Sequence, residues 1–378
     1  MHPAYEVSDV LRRNIDRIEE LSANSWQSRT LYALADCRTA KLGGHIDKCT
    51  NADCNQIHIS YNSCRNRHCP KCQGDKQHEW LESREKELIN VPYYHVVFTI
   101  PSELNQICFY APGKLYTLLF QTAWLVIKGF SANPKFMGAK TGMISILHTW
   151  GQNLSLHPHL HCIVPGGGIT PNEKWKPARG KDKYLFPVKA MSKVFRAKFV
   201  EGLRKAFILE DKVYKQLFSR NWVVYCKRPF YGPWQVIEYI GRYTHKVAIS
   251  NHRIQSIENG KVIFTAKDYR QDGKKHLVTL TDKEFIRRFS QHILPKGFPK
   301  IRYYGILSNT SKGKTIPLLR QLLGKVNLPE RPARIKRRIC PVCNIGELII
   351  VMTFKGGRDP PSTALLIALA QKIIQNKK

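Results

Sequence analysis

An α+β fold is what the sequence predicts: an antiparallel sheet with helices packed on it, preceded by a helical and zinc-binding module. Three observations lead there. Six of the eleven cysteines fall between Cys37 and Cys72. Short apolar runs suited to strands, at Tyr93–Pro101, Met143–Trp150 and Leu160–Val164, alternate with turn residues and one helix-length stretch. Apolar residues spaced three and four apart flank the cysteines on the N-terminal side.

Residues 7–36 read as helical: Ser8 is the candidate cap, Val10, Leu11, Ile15 and Ile18 share a face, and Trp26, Leu31 and Leu34 continue it. The cysteine segment that follows is too polar for a core of its own, and zinc would supply its folding energy, on the order of 10 kcal/mol or more. Cys69-x2-Cys72 forms a tight knuckle and Cys49-x4-Cys54 is a compatible partner, while Cys37 and Cys64, with His45 or His68, can complete a second site. One or two Zn²⁺ ions fit, and the spacing leaves the pairing of knuckles open. Arg65, Arg67, Lys71 and Lys76 decorate this module, which marks it as DNA-contacting.

A charged helix over Lys76–Ile89 ends at Asn90-Val91-Pro92, and Tyr93–Pro101 opens the next domain as a buried strand. Residues 112–130 form an amphipathic helix, and two strands around His148 and His161 complete a sheet with helices on one face. Further on, KVIFTAKDY and HLVTLT flank the hairpin turn Gln271-Asp272-Gly273. The helix TDKEFIRRFSQHIL starts at Thr281 or Asp282, with Arg287 and Arg288 available to phosphates. The tail, from about Ile316, is Pro- and Arg-rich and carries Cys340-x2-Cys343, half a zinc ribbon that borrows ligands from elsewhere or has lost its metal. Arg334, Lys336, Arg337 and Arg338 are its phosphate-binding cluster, and its last helix, STALLIALAQKIIQ, docks on the core or on a second copy of the chain, a homo-oligomer. The domains expected are 1–90, 91–315 and 316–378.

Charge narrows the partners. Sixty-one Lys and Arg against 28 Asp and Glu give a formal charge of +33, spread from end to end. So large an excess repels itself without an anionic partner, and nucleic acid is the natural one. No apolar run reaches the roughly eighteen residues that span a membrane, and the N-terminus lacks the pattern of a signal peptide. A cytoplasmic location follows as the expectation, with no membrane partner.

The chemistry centres on HTWGQNLSLHPHLHCIVPGGG, residues 148–168. On a strand, His159 and His161 project to one side, roughly 6 to 7 Å apart at the backbone. They can lean onto one metal ion, and Gln152 in the preceding loop can return an oxygen to the same point. That is a facial set for a hard divalent ion with positions open to phosphate oxygens. In QVIEYIGRYTHKVAI, residues 235–249, Tyr239 and Tyr243 lie i,i+4 on a helix with Cβ atoms about 6 Å apart. Paired histidines on a metal together with two phenol nucleophiles point to DNA strand cleavage through a phosphotyrosine.

These stretches, with EFIRRFSQHILPKGFPKIRYYG and the upstream YNSCRNRHCPKCQ, resemble transposases of the insertion-sequence-91 type, over roughly residues 30 to 310. Those enzymes belong to the His-hydrophobic-His (HUH) endonuclease superfamily, with rolling-circle replication initiators, relaxases and Helitrons. The resemblance implies an HUH nuclease domain, His159 and His161 as ligands of Mg²⁺ or Mn²⁺, and Tyr239 and Tyr243 as nucleophiles. It favours Gln152 as third ligand, with His148 and His157 as competitors. It further implies nicking and rejoining of single-stranded DNA at transposon ends and target, through a 5′-phosphotyrosine and a free 3′-OH. Arg242, His245 or Lys246 would help the phenol lose its proton, and no carboxylate stands out as a base. A plasmid replication initiator or relaxase, and a non-catalytic zinc-finger regulator, are the alternative readings.

Two glycine-bearing stretches carry no nucleotide chemistry. Gly313-Lys314-Thr315 lacks the first glycine of a phosphate-binding loop, since Ser308 stands there. Gly166–Gly168 lacks a following βαβ pattern and reads as a strand-end turn that lets DNA backbone approach.

Overall fold

A computed structural model describes residues 3–54, 56–180, 184–228, 235, 241, 244, 246–268, 271–326, 338–357 and 360–375. The first helical stretch is two helices. α1 (Val7–Arg13) is capped by Glu6, whose N–H donates to the Asp9 carboxylate at 2.7 Å, while Ser8, the expected cap, sits buried in the first turn. The buried Asn14 side chain donates to the Val10 carbonyl and closes that helix, and Asn24 caps α2 (Ser25–Ala35) by accepting from Gln27 N–H at 3.0 Å. The cysteine segment holds two strands that its polarity concealed, β1 (Gly44–Cys49) and β2 (Ile57–Tyr61), before α3 (Gln73–Glu85).

Next come β3 (Tyr93–Thr99), α4 (Ile107–Tyr110) and α5 (Pro112–Ala132), the last with proline in its first turn, where no N–H is needed. β4 (Gly142–Trp150) and β5 (Leu156–Pro165) follow, then the short pair β6 (Gly167–Ile169) and β7 (Trp175–Pro177), α6 (Val188–Ala206), α7 (Asp211–Ser219) and β8 (Val224–Cys226). The remainder runs through β9 (Ile254–Glu258), β10 (Lys261–Asp268), β11 (Lys274–Thr281), α8 (Asp282–Ser290), β12 (Ile301–Gly305), α9 (Lys312–Leu323), β13 (Leu348–Phe354) and α10 (Thr363–Gln375). Thr281 is the cap of α8, accepting from Glu284 N–H at 3.2 Å.

The central sheet has five antiparallel strands in the order β12-β4-β5-β3-β8. Alternation gives it two different faces. Val96, Phe98, Leu160, Cys162 and Val164 enter the largest core, against α5 and α6. On the other face Tyr93, Ile146 and Ile163 pack on Leu81, Leu88, Ile316 and Leu319, so α3 and α9 cover one end of it. Helices therefore lie on both faces, because the second face is apolar over only part of its length; the rest carries histidines.

Packing crosses the domain borders expected at 90/91 and 315/316. α1, α2 and the cysteines Cys37, Cys69 and Cys72 share a core with Leu154, Phe264, Phe285 and Phe289. β13 from the tail pairs with β1 in a sheet ordered β13-β1-β2, with Ile46, Leu366 and Ala370 at its centre. The last helix thus docks within its own chain. Gly167 and Gly168 are approached by protein rather than left open to DNA: a Cβ there would stand 2.5 Å from the Trp175 ring or 2.4 Å from the Lys140 carbonyl oxygen. Among the described residues no helix is long and apolar enough to cross a membrane.

His292 braces the turn between β4 and β5. Its Nε2–H donates to the Leu154 carbonyl at 3.1 Å and its Nδ1 accepts from Thr149 at 3.2 Å. Burial pushes its imidazole down to about 4. Because the folded value lies below the unfolded one, near 6.5, this contribution is fully present above that pH and is lost as pH falls through about 4, amounting to about 3 kcal/mol. The melting temperature should fall between pH 7 and 4 less steeply in His292→Gln than in the natural chain; equal slopes would remove His292 from the account.

Candidate functional site

β4 and β5 bring three imidazoles together. His148 lies directly across from His159, and His161 follows two residues on. One ring nitrogen from each of His148, His159 and His161 lies within 4.8 Å of the others, with centroids 4.6 to 5.5 Å apart. The register shifts between His148 and Trp150, and the bulge turns Trp150 so that it stacks on His148 at 4.6 Å.

Hydrogen bonds choose the tautomers. The Nδ1–H of His159 donates to the His157 carbonyl at 2.6 Å, which leaves Nε2 with its lone pair. His161 Nδ1 stands 2.8 Å from Nε2 of His95, a buried ring on β3 stacked against it at 5.1 Å. When His161 Nδ1–H donates to His95, His161 Nε2 is also available. Burial pushes His95 and His159 down to about 4 and His161 well below the usual imidazole range, where His148, His159, His95 and Lys246 add to the effect. The rings are neutral at pH 7. Two neutral imidazoles with their second nitrogens engaged, and His148 within reach of both, are a donor set that fits a divalent ion. His157 itself is exposed, and no carboxylate joins the cluster among the described residues. Gln152, preferred from sequence as third ligand, offers its main-chain oxygen to Arg253; the histidine that stands beside the pair is His148.

Tyr239, Arg242, Tyr243 and His245 lie outside the described residues, but their neighbours do not. Gly241 and Thr244 are helical and buried, and a Cβ on Gly241 would meet Leu81 of α3 at 2.8 Å. Gly241 therefore lies against α3, on the histidine-bearing side of the sheet. Lys246 follows it, its main-chain oxygen accepting from Lys300 at 2.7 Å.

Several cations assigned to DNA from sequence are engaged within the chain. Arg67 donates to the carbonyls of Pro295 and Phe298. Arg287 and Arg288 both pair with Glu284 at 2.6 Å, and Arg338 grips the buried Asp47 at 2.7 and 2.5 Å. Sequence shows the charge of an arginine and not the carbonyl or carboxylate that folding brings to it. Arg65 is exposed, in a turn at φ +52°; Arg334, Lys336 and Arg337 lie outside the described residues. Sequence reasoning missed a groove of about 550 Å³ lined by Trp26, Phe109, Tyr110, Leu156, Arg287 and Lys296. Phe109 and Tyr110 are 51% and 65% exposed there. The adjacent aromatics were the available signal; four separated segments make the groove.

The cysteines form two sets. Cys37, Cys64, Cys69 and Cys72 converge, with sulfurs 3.5 Å apart for Cys37 and Cys72 and 3.7 Å for Cys64 and Cys72. The Cys64 N–H donates to Cys37 Sγ at 3.4 Å, and hydrogen bonds from the Cys64 and Cys69 thiols hold the Cys37 thiol down at about 7. Cys49 and Cys54 converge instead with Cys340 and Cys343, so the Cys69 knuckle is completed by Cys37 and Cys64. His68 is taken up by the Leu294 N–H at 3.3 Å and His45 faces Asp47 at 3.5 Å. Four converging thiols are the donor set of structural zinc.

The comparisons with known proteins agree with this architecture. Residues 142–314 match the family described as "Putative transposase", and residues 10–100 match the transposase zinc-binding domain. A Sinorhizobium fredii protein named y4qJ, described in the same words as the first family, is 40% identical over 94% of this chain and 97% of its own length. The transposase for insertion sequence element IS801 from Pseudomonas savastanoi pv. phaseolicola is 27% identical over 81% of this chain and 76% of its own. No solved structure matches. With a relative of that identity aligned almost end to end and both family matches in place, the chain belongs to the transposases of the insertion-sequence-91 type that carry an N-terminal zinc-binding domain.

Proposed function

We propose that this transposase is an HUH enzyme that nicks and rejoins single-stranded DNA at its element ends, by a tyrosine reaction that drives rolling-circle-type transposition in the cytoplasm. The observation that carries the reading is the cluster of His148, His159 and His161, in which the His157 carbonyl engages Nδ1 of His159 and His95 engages Nδ1 of His161. A divalent ion bound there supplies Lewis-acid stabilisation of charge on the phosphate oxygens. The histidines hold and orient it. Tyr239 or Tyr243 is the nucleophile: its Oη forms the new bond to phosphorus, the bond to the 3′ oxygen breaks, the phenol gives up its proton and the leaving oxygen becomes a 3′-OH. The phosphotyrosine keeps the ester energy, so reversal joins strands without a nucleotide cofactor. Lys246, whose charge is felt at His159 and His161, favours the phenolate. The exposed aromatics of the groove, flanked by Arg287 and Lys296, suit stacked unpaired bases.

Incubation with labelled single-stranded element ends and Mn²⁺ should give a covalent protein–DNA adduct on a denaturing gel. The adduct should disappear in Tyr239→Phe/Tyr243→Phe and in His159→Ala/His161→Ala; DNA binding with no adduct on any end would return the chain to a non-catalytic regulator. An all-imidazole set prefers Mn²⁺ to Mg²⁺, so half-maximal adduct should need less Mn²⁺. His148→Ala should cost far more than Gln152→Ala, and the reverse order would restore Gln152 as ligand.

His95 touches no substrate in this scheme and acts as a positioning residue. His95→Ala should weaken Mn²⁺ binding about 10- to 100-fold, measured calorimetrically, and His95→Gln, whose amide oxygen can accept from His161, should restore most of it. A lower melting temperature with unchanged Mn²⁺ affinity would make the contact merely structural.

For the groove, Phe109→Ala/Tyr110→Ala should weaken binding of single-stranded oligonucleotides by 1–3 kcal/mol per lost stack, roughly tenfold or more, with the salt dependence unchanged. Fluorescence anisotropy measures both, and unaltered affinity would exclude the groove as a base-stacking site.

A further inference from the structure

We propose that Cys49, Cys54, Cys340 and Cys343 form a second tetrathiolate zinc site, separate from the one at Cys37, that clamps the C-terminal segment onto the N-terminal sheet. The zinc-binding family match ends at residue 100 and covers only half of these ligands. The four sulfurs lie within 4.8 Å of one another, with Cys49 Sγ 3.6 Å from Cys343 Sγ and Cys54 Sγ 3.8 Å from Cys340 Sγ. Both separations far exceed the roughly 2.05 Å of a disulfide, and all four cysteines are free.

The backbone around them has the form of a metal knuckle. In Cys340-Pro-Val-Cys343-Asn-Ile-Gly346 the Cys340 N–H donates to the Gly346 carbonyl at 2.8 Å and Asn344 takes φ +55°. The Gly346 N–H turns onto Cys343 Sγ at 3.3 Å, the bond that stabilises a thiolate. Glycine is required there by space as well: a Cβ on Gly346 would stand 2.4 Å from Cys49 Sγ. Thr50 N–H donates to the Glu347 carbonyl and Glu347 N–H to Thr50 Oγ1, both at 2.9 Å, locking the two halves in register.

Something must hold this segment. Its apolar core has three buried residues, Ile46, Leu366 and Ala370, while Ile349 and Ile350 of β13 are exposed. So small a core calls for a staple such as a structural metal. The β1–β13 ladder and the Arg338–Asp47 pair complete the joint.

Zinc content of the full-length chain, purified under reducing conditions, tests the site. Two zinc ions per chain are expected, falling to one in Cys340→Ser/Cys343→Ser and to one in Cys64→Ser/Cys69→Ser. One zinc in the natural chain, two in the tail variant, or iron in place of zinc would overturn the proposal. Should either variant fail to fold, cobalt titration of the natural chain freed of zinc decides: two equivalents with thiolate-to-cobalt charge-transfer absorption are expected, and saturation at one would refute the second site. For the clamp, hydrogen exchange of the β1, β2 and β13 amides should quicken at least tenfold in Cys340→Ser/Cys343→Ser; unchanged protection would leave a metal site with no clamping role.

Discussion

Antiparallel pairing of β4 with β5 sets His148 across from His159 and Ile146 across from His161, and the candidate site follows from that register. A slip of one residue would carry His159 and His161 through the sheet into the core of Phe98, Phe120 and Phe195. The slip is opposed on both faces. On one, Leu160 and Cys162 are committed to that core; on the other, Ile146 and Ile163 are committed to α3 and α9. The imidazoles thus begin where the apolar part of their own face ends. Burial then keeps His159 and His161 neutral, the state in which an imidazole can be a ligand.

Charge is organised less simply than a formal +33 suggests. Some arginines read as phosphate contacts serve the fold: Arg67 caps the carbonyls of Pro295 and Phe298, and Arg338 neutralises the buried Asp47. Glu284 holds Arg287 and Arg288 together at the start of the final turn of α8, and those pairs press its carboxyl down to about 2. An arginine paired with a surface glutamate keeps the option of exchanging it for phosphate, because an exposed pair is worth little. Arg67 and Arg338, tied to partly or fully buried acceptors, lack that freedom.

Local pattern made much of this legible. Alternation in HPHLHC is strand geometry with a histidine pair on one face, continuous apolar character in YYHVVFT is a central strand, and period three-to-four in residues 112–130 is α5. What sequence left hidden depends on contacts between distant segments. His95 reads as one polar residue in an apolar strand until β3 pairs with β5 and brings it to His161. Cys340-x2-Cys343 reads as half a site because its other half lies nearly three hundred residues earlier. β1 and β2 were masked by polar composition, and their sheet is completed by a third strand supplied by the tail. Spacing showed which cysteines form each knuckle and not which knuckles converge.

The first cysteine cluster is part of the wall of the candidate site rather than an appended finger. Cys37, Cys69 and Cys72 are buried in one core with Leu154, Phe285 and Phe289. From the knuckle between Cys64 and Cys69, Arg67 reaches the carbonyls of Pro295 and Phe298 and His68 receives the Leu294 N–H. Two residues before Leu294, His292 holds Thr149 and Leu154, the two ends of the turn that joins the histidine strands. Each step in that series is a direct contact, so metal that fixes the four thiols also fixes one wall of the imidazole cluster. A zinc module that served only to grip DNA would need surface and charge; this one has its cysteines in the core and its Arg67 spent on carbonyls, which is the arrangement expected of a scaffold. Arg65, by contrast, is a cation of this module that the scaffold leaves at the surface.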